Sequence, residues 1–266
     1  MTLSQIVARA LEEDIGSGDV TTNLCVPADR KASGRFLVRE PIVVAGAELL
    51  PLIYDDLDLK APSGSCLEAG KEIATVRGTA RELLTRERVA LNFLQHLSGI
   101  ATQARKYTDA VAGTGCRILD TRKTTPGLRE LDKMAVRAGG ATNHRRGLFD
   151  AVLIKNNHIT AAGGVRAALE ATRNANVPVQ IEVRTRAELE QALNCGAKKL
   201  LLDNLSPADA KDWIDSIAGR ATVELSGGIT LDTARAYAET GADFISVGAI
   251  THSARAVDIH FHLELE

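Results

Sequence analysis

Aromatic residues are scarce in this chain: five Phe, three Tyr and one Trp make up 3% of its 266 residues. A surface that stacks the bases of single-stranded nucleic acid is built on such side chains, so that chemistry lacks its platform. There is no cationic field for a nucleic-acid backbone or an anionic membrane either. Thirty-two Lys and Arg face 34 Asp and Glu, a formal charge of −2. Cysteine is limited to Cys25, Cys66, Cys116 and Cys195, far apart and without a C-x-x-C pair. That spacing offers neither a disulfide framework nor a zinc site, and reads as buried thiols in a reducing compartment. No apolar run approaches the roughly 20 residues needed to span a bilayer. The opening MTLSQIVARALEED turns acidic early and reads as an amphipathic helix, not a signal peptide. What is left is a cytoplasmic globular protein whose partners are small molecules, with no nucleic acid and no membrane among them.

What the chain does have is two different rhythms. From about residue 115 onward, short apolar runs alternate with helical stretches. The runs are CRILD, DAVLIK, VPVQIEV, KKLLLD, TVELS and DFISVG. Between them lie TAAGGVRAALEATRNA, TRAELEQALNCG, SPADAKDWIDSIAG and TLDTARAYAETG, with Ser206 and Thr230 as helix starts and Gly196, Gly219 and Gly241 as stops. Six strands alternating with helices predict parallel β-α units, in an open sheet or a barrel. The first hundred residues instead mix strand-like GRFLVRE and KEIATVRG with the long helix TARELLTRERVALNFLQHLSG, which is an α+β pattern. The boundary falls near residues 104–114, giving domains 1–104 and 105–253. In VDIHFHLELE, apolar and polar residues alternate strictly, as in a strand with one face in a core. Residues 254–266 are therefore expected to return to the N-terminal sheet. His260 and His262 share the polar face of that strand and read as solvated, not as metal ligands.

In β/α architectures ligands bind at the carboxyl ends of the strands, so the residues that follow each run matter most. These are Thr121, Arg122 and Lys123, then Lys155 and Asn156, Glu182, Asp203 and Asn204, Ser226 to Gly228, and Gly248. The turns SGGIT and VGAIT follow the last two strands, where barrels often hold phosphate. Glu182 and Asp203, on successive strands, suit a hard cation such as Mg²⁺, or each pairs with a neighbouring arginine. Residues 120–158 hold eight Lys and Arg against four acids, a local +4 in a chain of −2. Arg129, Lys133 and Arg137 fall at helical spacing and read as a solvated face. Arg122, Lys123, Arg145 and Lys155 sit at strand or loop ends, where arginine forks match the planar acid groups of a small polyanion.

The segment TRKTTPGLRELDKMAVRAGGATNHRRGLFDAVLIKNNHI resembles the signature of the quinolinate phosphoribosyltransferases. The likeness extends to EDIGSGDVTT, LTRERVALNFLQHLSGIAT, LLDN and ELSGGI, and so covers nearly the whole chain. The resemblance implies an incomplete, seven-stranded α/β barrel with an N-terminal α/β sandwich completed by the C-terminal strand. It implies a homodimer with shared active sites. The reaction implied joins quinolinate to phosphoribosyl pyrophosphate with Mg²⁺, releasing nicotinate mononucleotide, CO₂ and pyrophosphate. Carried over by position, Thr121, Arg122, His144, Arg145 and Lys155 form the quinolinate pocket, and Arg88 enters the neighbouring subunit's site. Lys123, Ser226, Gly227, Gly228, Gly248, Ala249, Ile250 and His252 serve phosphoribosyl pyrophosphate. Glu182 and Asp203 serve the metal, and Lys123, Lys155, Glu182 and Asp203 form the catalytic set.

The chain departs from the family pattern at Met134, Ala141, Thr142, Asn156 and Gln180, the last replacing a frequent acid before Glu182. None of these removes a residue given a catalytic role. Two other readings remain: a paralogue of the same fold from molybdate-transport operons, and a non-catalytic phosphate-binding barrel. NHRRG and LIKNNH oppose the first, and keeping Lys123, Glu182 and Asp203 together opposes the second.

Overall fold

A computed structural model describes all 266 residues. The chain opens with helices α1 (Leu3–Ile15) and α2 (Val20–Cys25). Thr2 and Gln5 cap the first reciprocally, and the Asp19 carboxylate accepts the Thr22 N–H at 2.9 Å to start the second. Strands β1 (Lys31–Val38), β2 (Ile42–Val43), β3 (Asp56–Leu59), β4 (Cys66–Leu67) and β5 (Glu72–Thr79) lead into the helix α3 (Ala80–Ala110). Then come β6 (Arg117–Leu119), α4 (Arg129–Ala138), β7 (Val152–Ile154), α5 (Asn156–Ala162), α6 (Val165–Ala171), β8 (Val179–Val183) and α7 (Arg186–Asn194). The chain ends with β9 (Lys199–Asp203), α8 (Pro207–Ile217), β10 (Thr222–Ser226), α9 (Leu231–Ala238), β11 (Phe244–Ser246), α10 (Ala249–His252) and β12 (Ile259–Leu265). No helix is long and apolar enough to cross a membrane.

Two compact units emerge. The first comprises Met1–Arg105, Thr125–Gly140 and Ser253–Glu266, and the second Lys106–Thr124 and Ala141–His252. Sequence patterning had assigned 125–140 to the second domain; in the structure that segment groups with the first. The first unit holds an antiparallel sheet of order β12-β1-β5-β3. Along β1, Ala32, Gly34, Phe36 and Val38 are buried while their neighbours are half-buried or exposed. The C-terminal strand does return, pairing Phe36 with Phe261 and Gly34 with Leu263. Its alternation fades toward the end of the chain, where Leu265 is exposed. His260 accepts a hydrogen bond from Arg39 Nε at 3.2 Å, and His262 stands 3.3 Å from Glu264. On α3, Leu94, Leu97, Ile100 and Ala101 are fully buried, and Ser98 and Thr102 accept the Ala45 and Val43 N–H groups.

The second unit holds six parallel strands in the order β6-β11-β10-β9-β8-β7. All six apolar runs of the sequence form these strands. The inner ones are buried on both faces, as in β9, where Leu200, Leu201 and Leu202 are all inside. Thr142 adds an isolated parallel bridge to Leu119.

Three expectations need correction. Lys133 is fully buried, so Arg129, Lys133 and Arg137 do not form a solvated face. Spacing shows that residues share a stripe, not whether the stripe is covered; α4 also buries Leu131, Asp132, Ala135 and Val136, around more than half of its girth. The stretch 160–175 is not one helix. Gly163 and Gly164 adopt φ of 88° and 128°, which ends α5 and starts α6 afresh. The cysteines are free thiols, but only Cys116 is buried; Cys25 and Cys66 are exposed. Burial, aided by the nearby Asp243 charge, pushes the Cys116 thiol up to about 12.

Gly34 is a packing requirement. A Cβ there would lie 1.9 Å from Phe261 Cζ, while the Phe261 ring stacks tilted on Phe36 with centroids 4.9 Å apart. Gly34→Ala is expected to lower unfolding free energy by about 1–3 kcal/mol in urea titrations. Combining it with Phe261→Leu is expected to cost less than the sum of the two single changes.

Candidate active site

Parallel strands present their carboxyl ends along one edge, so the residues after each strand converge there. In the second unit that edge encloses a cavity of about 540 Å³. Thr121, Arg122 and Lys123 reach it from the loop after β6, His144 and Arg145 from the segment after the Thr142 bridge, and Lys155 from the end of β7. Glu182 comes from β8 and Asp203 from β9; Ser226, Gly227 and Gly228 follow β10, and Gly248 and Ala249 follow β11. Six strands and the segment after the Thr142 bridge thus deliver thirteen of the sequence-predicted residues to one place.

The cationic side is held by its own turns. Arg145 donates from Nη1 to the Ala151 carbonyl at 3.0 Å, and the Asp150 carboxylate ties the intervening turn by accepting the Arg146 and Gly147 N–H groups at 2.7 and 3.0 Å. Burial and then the like charge of Arg122 lower the basicity of the Arg145 guanidinium. An arginine keeps its proton regardless, so the two side chains repel unless an anion lies between them.

The opposite side is acidic and glycine-rich. Glu182 is buried, and Arg184 Nη2 stands 3.0 Å from its Oε1 and 3.1 Å from Asp203 Oδ2. Lys155 Nζ lies 3.9 Å from the other Glu182 oxygen. Each acid is therefore paired with a neighbouring cation. Two carboxylates on adjacent strands still fit Mg²⁺, which takes one or two protein carboxylates and completes its shell with water and substrate oxygens. Glu182 Oε1, for all its proximity to Arg184, has no aligned hydrogen bond. Gly227 adopts φ +100°, and a Cβ on it would meet the Asn204 backbone at 2.8 Å, so only glycine allows this turn to pass so close. A Cβ on Gly248 would lie 3.1 Å from both the His252 ring and Lys123 Cδ. Thr251 Oγ1 donates to the Lys123 carbonyl at 2.6 Å, which sets that lysine's backbone beside the Gly248 turn.

Three predicted residues do not line the cavity. Ile250 is buried in the core, and His252 stands behind Gly248. Arg88 is exposed on α3 in the first unit, as is Asn92, whereas Arg81 and Gln95 of the same arc donate to the Val26 and Ile259 carbonyls. Sequence reasoning missed Arg184, Glu224 and Ser246, which line the cavity. The signal for Arg184 was present, since it follows a strand as the other candidates do. Glu224 lay hidden inside the apolar run TVELS, where a lone acid looks incidental.

Glu224 is 3% exposed. Burial alone would raise its pKa, but hydrogen bonds from His144, Ser246 and Gln180 overcome this and hold the carboxyl below its ordinary value. A carboxylate depressed on folding stabilises the fold above its unfolded pKa, near 4.3, and stops doing so as pH falls through the lower folded value. Urea titrations are expected to show wild-type stability falling below about pH 4.3. Glu224→Gln is expected to show a shallower fall.

Comparison with known proteins identifies the family. Residues 19–98 match the family described as quinolinate phosphoribosyl transferase, N-terminal domain, and residues 100–262 match its C-terminal domain. A nicotinate-nucleotide pyrophosphorylase [carboxylating] of Mycobacterium leprae is 42% identical, over 97% of this chain and 95% of the relative. A chloroplastic counterpart from Oryza sativa is 40% identical over 99% of this chain and 78% of the relative. The structure of the nicotinate-nucleotide pyrophosphorylase from Francisella tularensis superposes with a TM-score of 0.94 at 37% identity, covering 98% of this chain and 96% of that one. The one from Ehrlichia chaffeensis gives 0.95 at 36% identity, with 99% of each chain covered. With both domain matches and full-length relatives in agreement, the chain belongs to the quinolinate phosphoribosyltransferase family.

Proposed function

We propose that the protein transfers the phosphoribosyl group of phosphoribosyl pyrophosphate to the ring nitrogen of quinolinate, with decarboxylation, giving nicotinate mononucleotide, pyrophosphate and CO₂ in NAD biosynthesis. The observation that carries this reading is the meeting of Arg122, Arg145 and Lys155 with the acid pair and the glycine turns in one cavity. The cations bind the two carboxylates of quinolinate and hold its nitrogen toward C1 of the ribose. The Ser226–Gly228 and Gly248 turns seat the phosphate groups, and Lys123 draws charge from the departing pyrophosphate. As the C1–O bond lengthens, the ribose becomes oxocarbenium-like and the nitrogen attacks. The resulting pyridinium charge then favours loss of the 2-carboxylate, whose C–C electron pair stays on C2 until a proton replaces the CO₂. Positioning two mutually repelling anions inside one set of cations supplies much of the acceleration.

In this reading Glu182 and Asp203 would hold Mg²⁺, which would supply positive charge beside the departing pyrophosphate. Arg184, which now bridges the two acids, would have to give way.

The architecture in this reading is a barrel of seven strands left open, the Thr142 bridge to Leu119 marking the shortest of them. The working unit is a homodimer. The family resemblance assigns Arg88, exposed and outside its own chain's cavity lining, to the site of a second copy.

Purified protein given carboxyl-labelled quinolinate, phosphoribosyl pyrophosphate and Mg²⁺ is expected to release labelled CO₂. Arg145→Ala is expected to lower kcat/KM by about a hundredfold or more, the scale of stripping one partner from a buried charge pair, with an unchanged circular dichroism spectrum. Retained kcat/KM would remove Arg145 from the site. Mixing inactive Arg88→Ala and Arg145→Ala subunits is expected to restore turnover, because a hybrid dimer assembles one intact site. No recovery in verified hybrids would place Arg88 elsewhere.

A further inference from the structure

Asp120 and Glu224 take no part in the reaction derived above, yet both are carboxylates sealed from solvent, at 0% and 3% exposure. Both meet at His144, the residue before Arg145. Asp120 Oδ1 accepts the His144 N–H at 2.6 Å, and its Oδ2 accepts Asn143 Nδ2 at 2.8 Å. Glu224 Oε2 lies 3.3 Å from His144 Nε2 and also accepts Gln180 Nε2 at 2.9 Å.

The direction of these bonds is fixed by a neighbour. His144 Nδ1 accepts the Arg145 backbone N–H at 2.7 Å. A backbone N–H can only donate, so Nδ1 carries the lone pair and the ring hydrogen sits on Nε2, facing the Glu224 carboxylate. The other tautomer would set N–H against N–H at Nδ1 and lone pair against carboxylate at Nε2. Gln180 fits the same arrangement, since its amide donates to Glu224 where a carboxylate would oppose it.

We propose that Glu224 and Asp120 are positioning residues of the site: Glu224 holds His144 as its Nε2–H tautomer, Asp120 anchors the backbone of the same segment, and together they present Arg145 to the cavity. His144 then has both ring nitrogens engaged within the protein and contributes shape, not a hydrogen bond, to the bound acid. The inference rests on the reading that Arg145 holds a substrate carboxylate, but the tautomer claim stands apart from it.

The test has two arms. In long-range ¹H–¹⁵N spectra of histidine-labelled protein, with His144 assigned by its loss in His144→Gln, wild type is expected to show the Nε2–H pattern. Glu224→Gln is expected to shift His144 toward a mixture of tautomers. In kinetics, Glu224→Gln and Asp120→Asn are each expected to raise KM for quinolinate about tenfold, the scale of one hydrogen bond to a charged group. KM for phosphoribosyl pyrophosphate and the circular dichroism spectrum are expected to stay unchanged. An Nδ1–H pattern in wild type, or an unaltered tautomer in Glu224→Gln, would overturn the proposal. So would a rise in both KM values together, which marks general loosening. If wild-type protein failed to turn over quinolinate, the proposed function would fall while the spectra still decided the clamp.

Discussion

Arg145 is held in a cavity where partial burial, and then the like charge of Arg122, disfavours its own charge. That arrangement is unstable by itself, and the rest of the second unit can be understood as what makes it bearable. The Ala151 carbonyl takes one N–H of Arg145, and the Asp150 turn fixes the backbone around it. The fully buried Asp120 and nearly buried Glu182 and Glu224 place negative charge beneath the same mouth. A small polyanion entering the cavity replaces repulsion with bidentate pairing, so binding relieves a cost the fold already carries.

The same logic accounts for the acid side. Glu182 and Asp203 would repel each other, and Arg184 sits within 3.1 Å of an oxygen of each. An internal cation therefore stands where the chemistry of the donors suits a metal ion. The acid pair is countered by the side chains of Arg184 and Lys155, while the backbone turns at Gly227 and Gly248 are close-packed.

How much of this was legible before the structure depends on the kind of signal. The six parallel strands announced themselves as apolar runs, and the residues after them were the right place to look, because chain direction fixes which end of a parallel strand is which. The segment at Thr142 was invisible as a strand, since a single bridge leaves no periodicity. Lys133 misled because helical spacing reports a shared stripe and says nothing of what lies against it. The break at Gly163 and Gly164 was written in the sequence and was overridden by the apolar pattern on either side. Glu224 was the deepest omission. An acid inside a buried strand becomes meaningful only when His144, Gln180 and Ser246, distant in sequence, are seen to converge on it. The family resemblance supplied roles for Arg145 and Glu182 that spacing alone left open.

Calorimetric titration of quinolinate against its diamide, at increasing salt, tests the central claim most directly. The two ligands share a ring and a shape and differ in charge. If paired cations drive recognition, the dicarboxylate binds far more tightly, and its affinity falls as salt rises. Equal affinities for the two, indifferent to salt, would contradict the account.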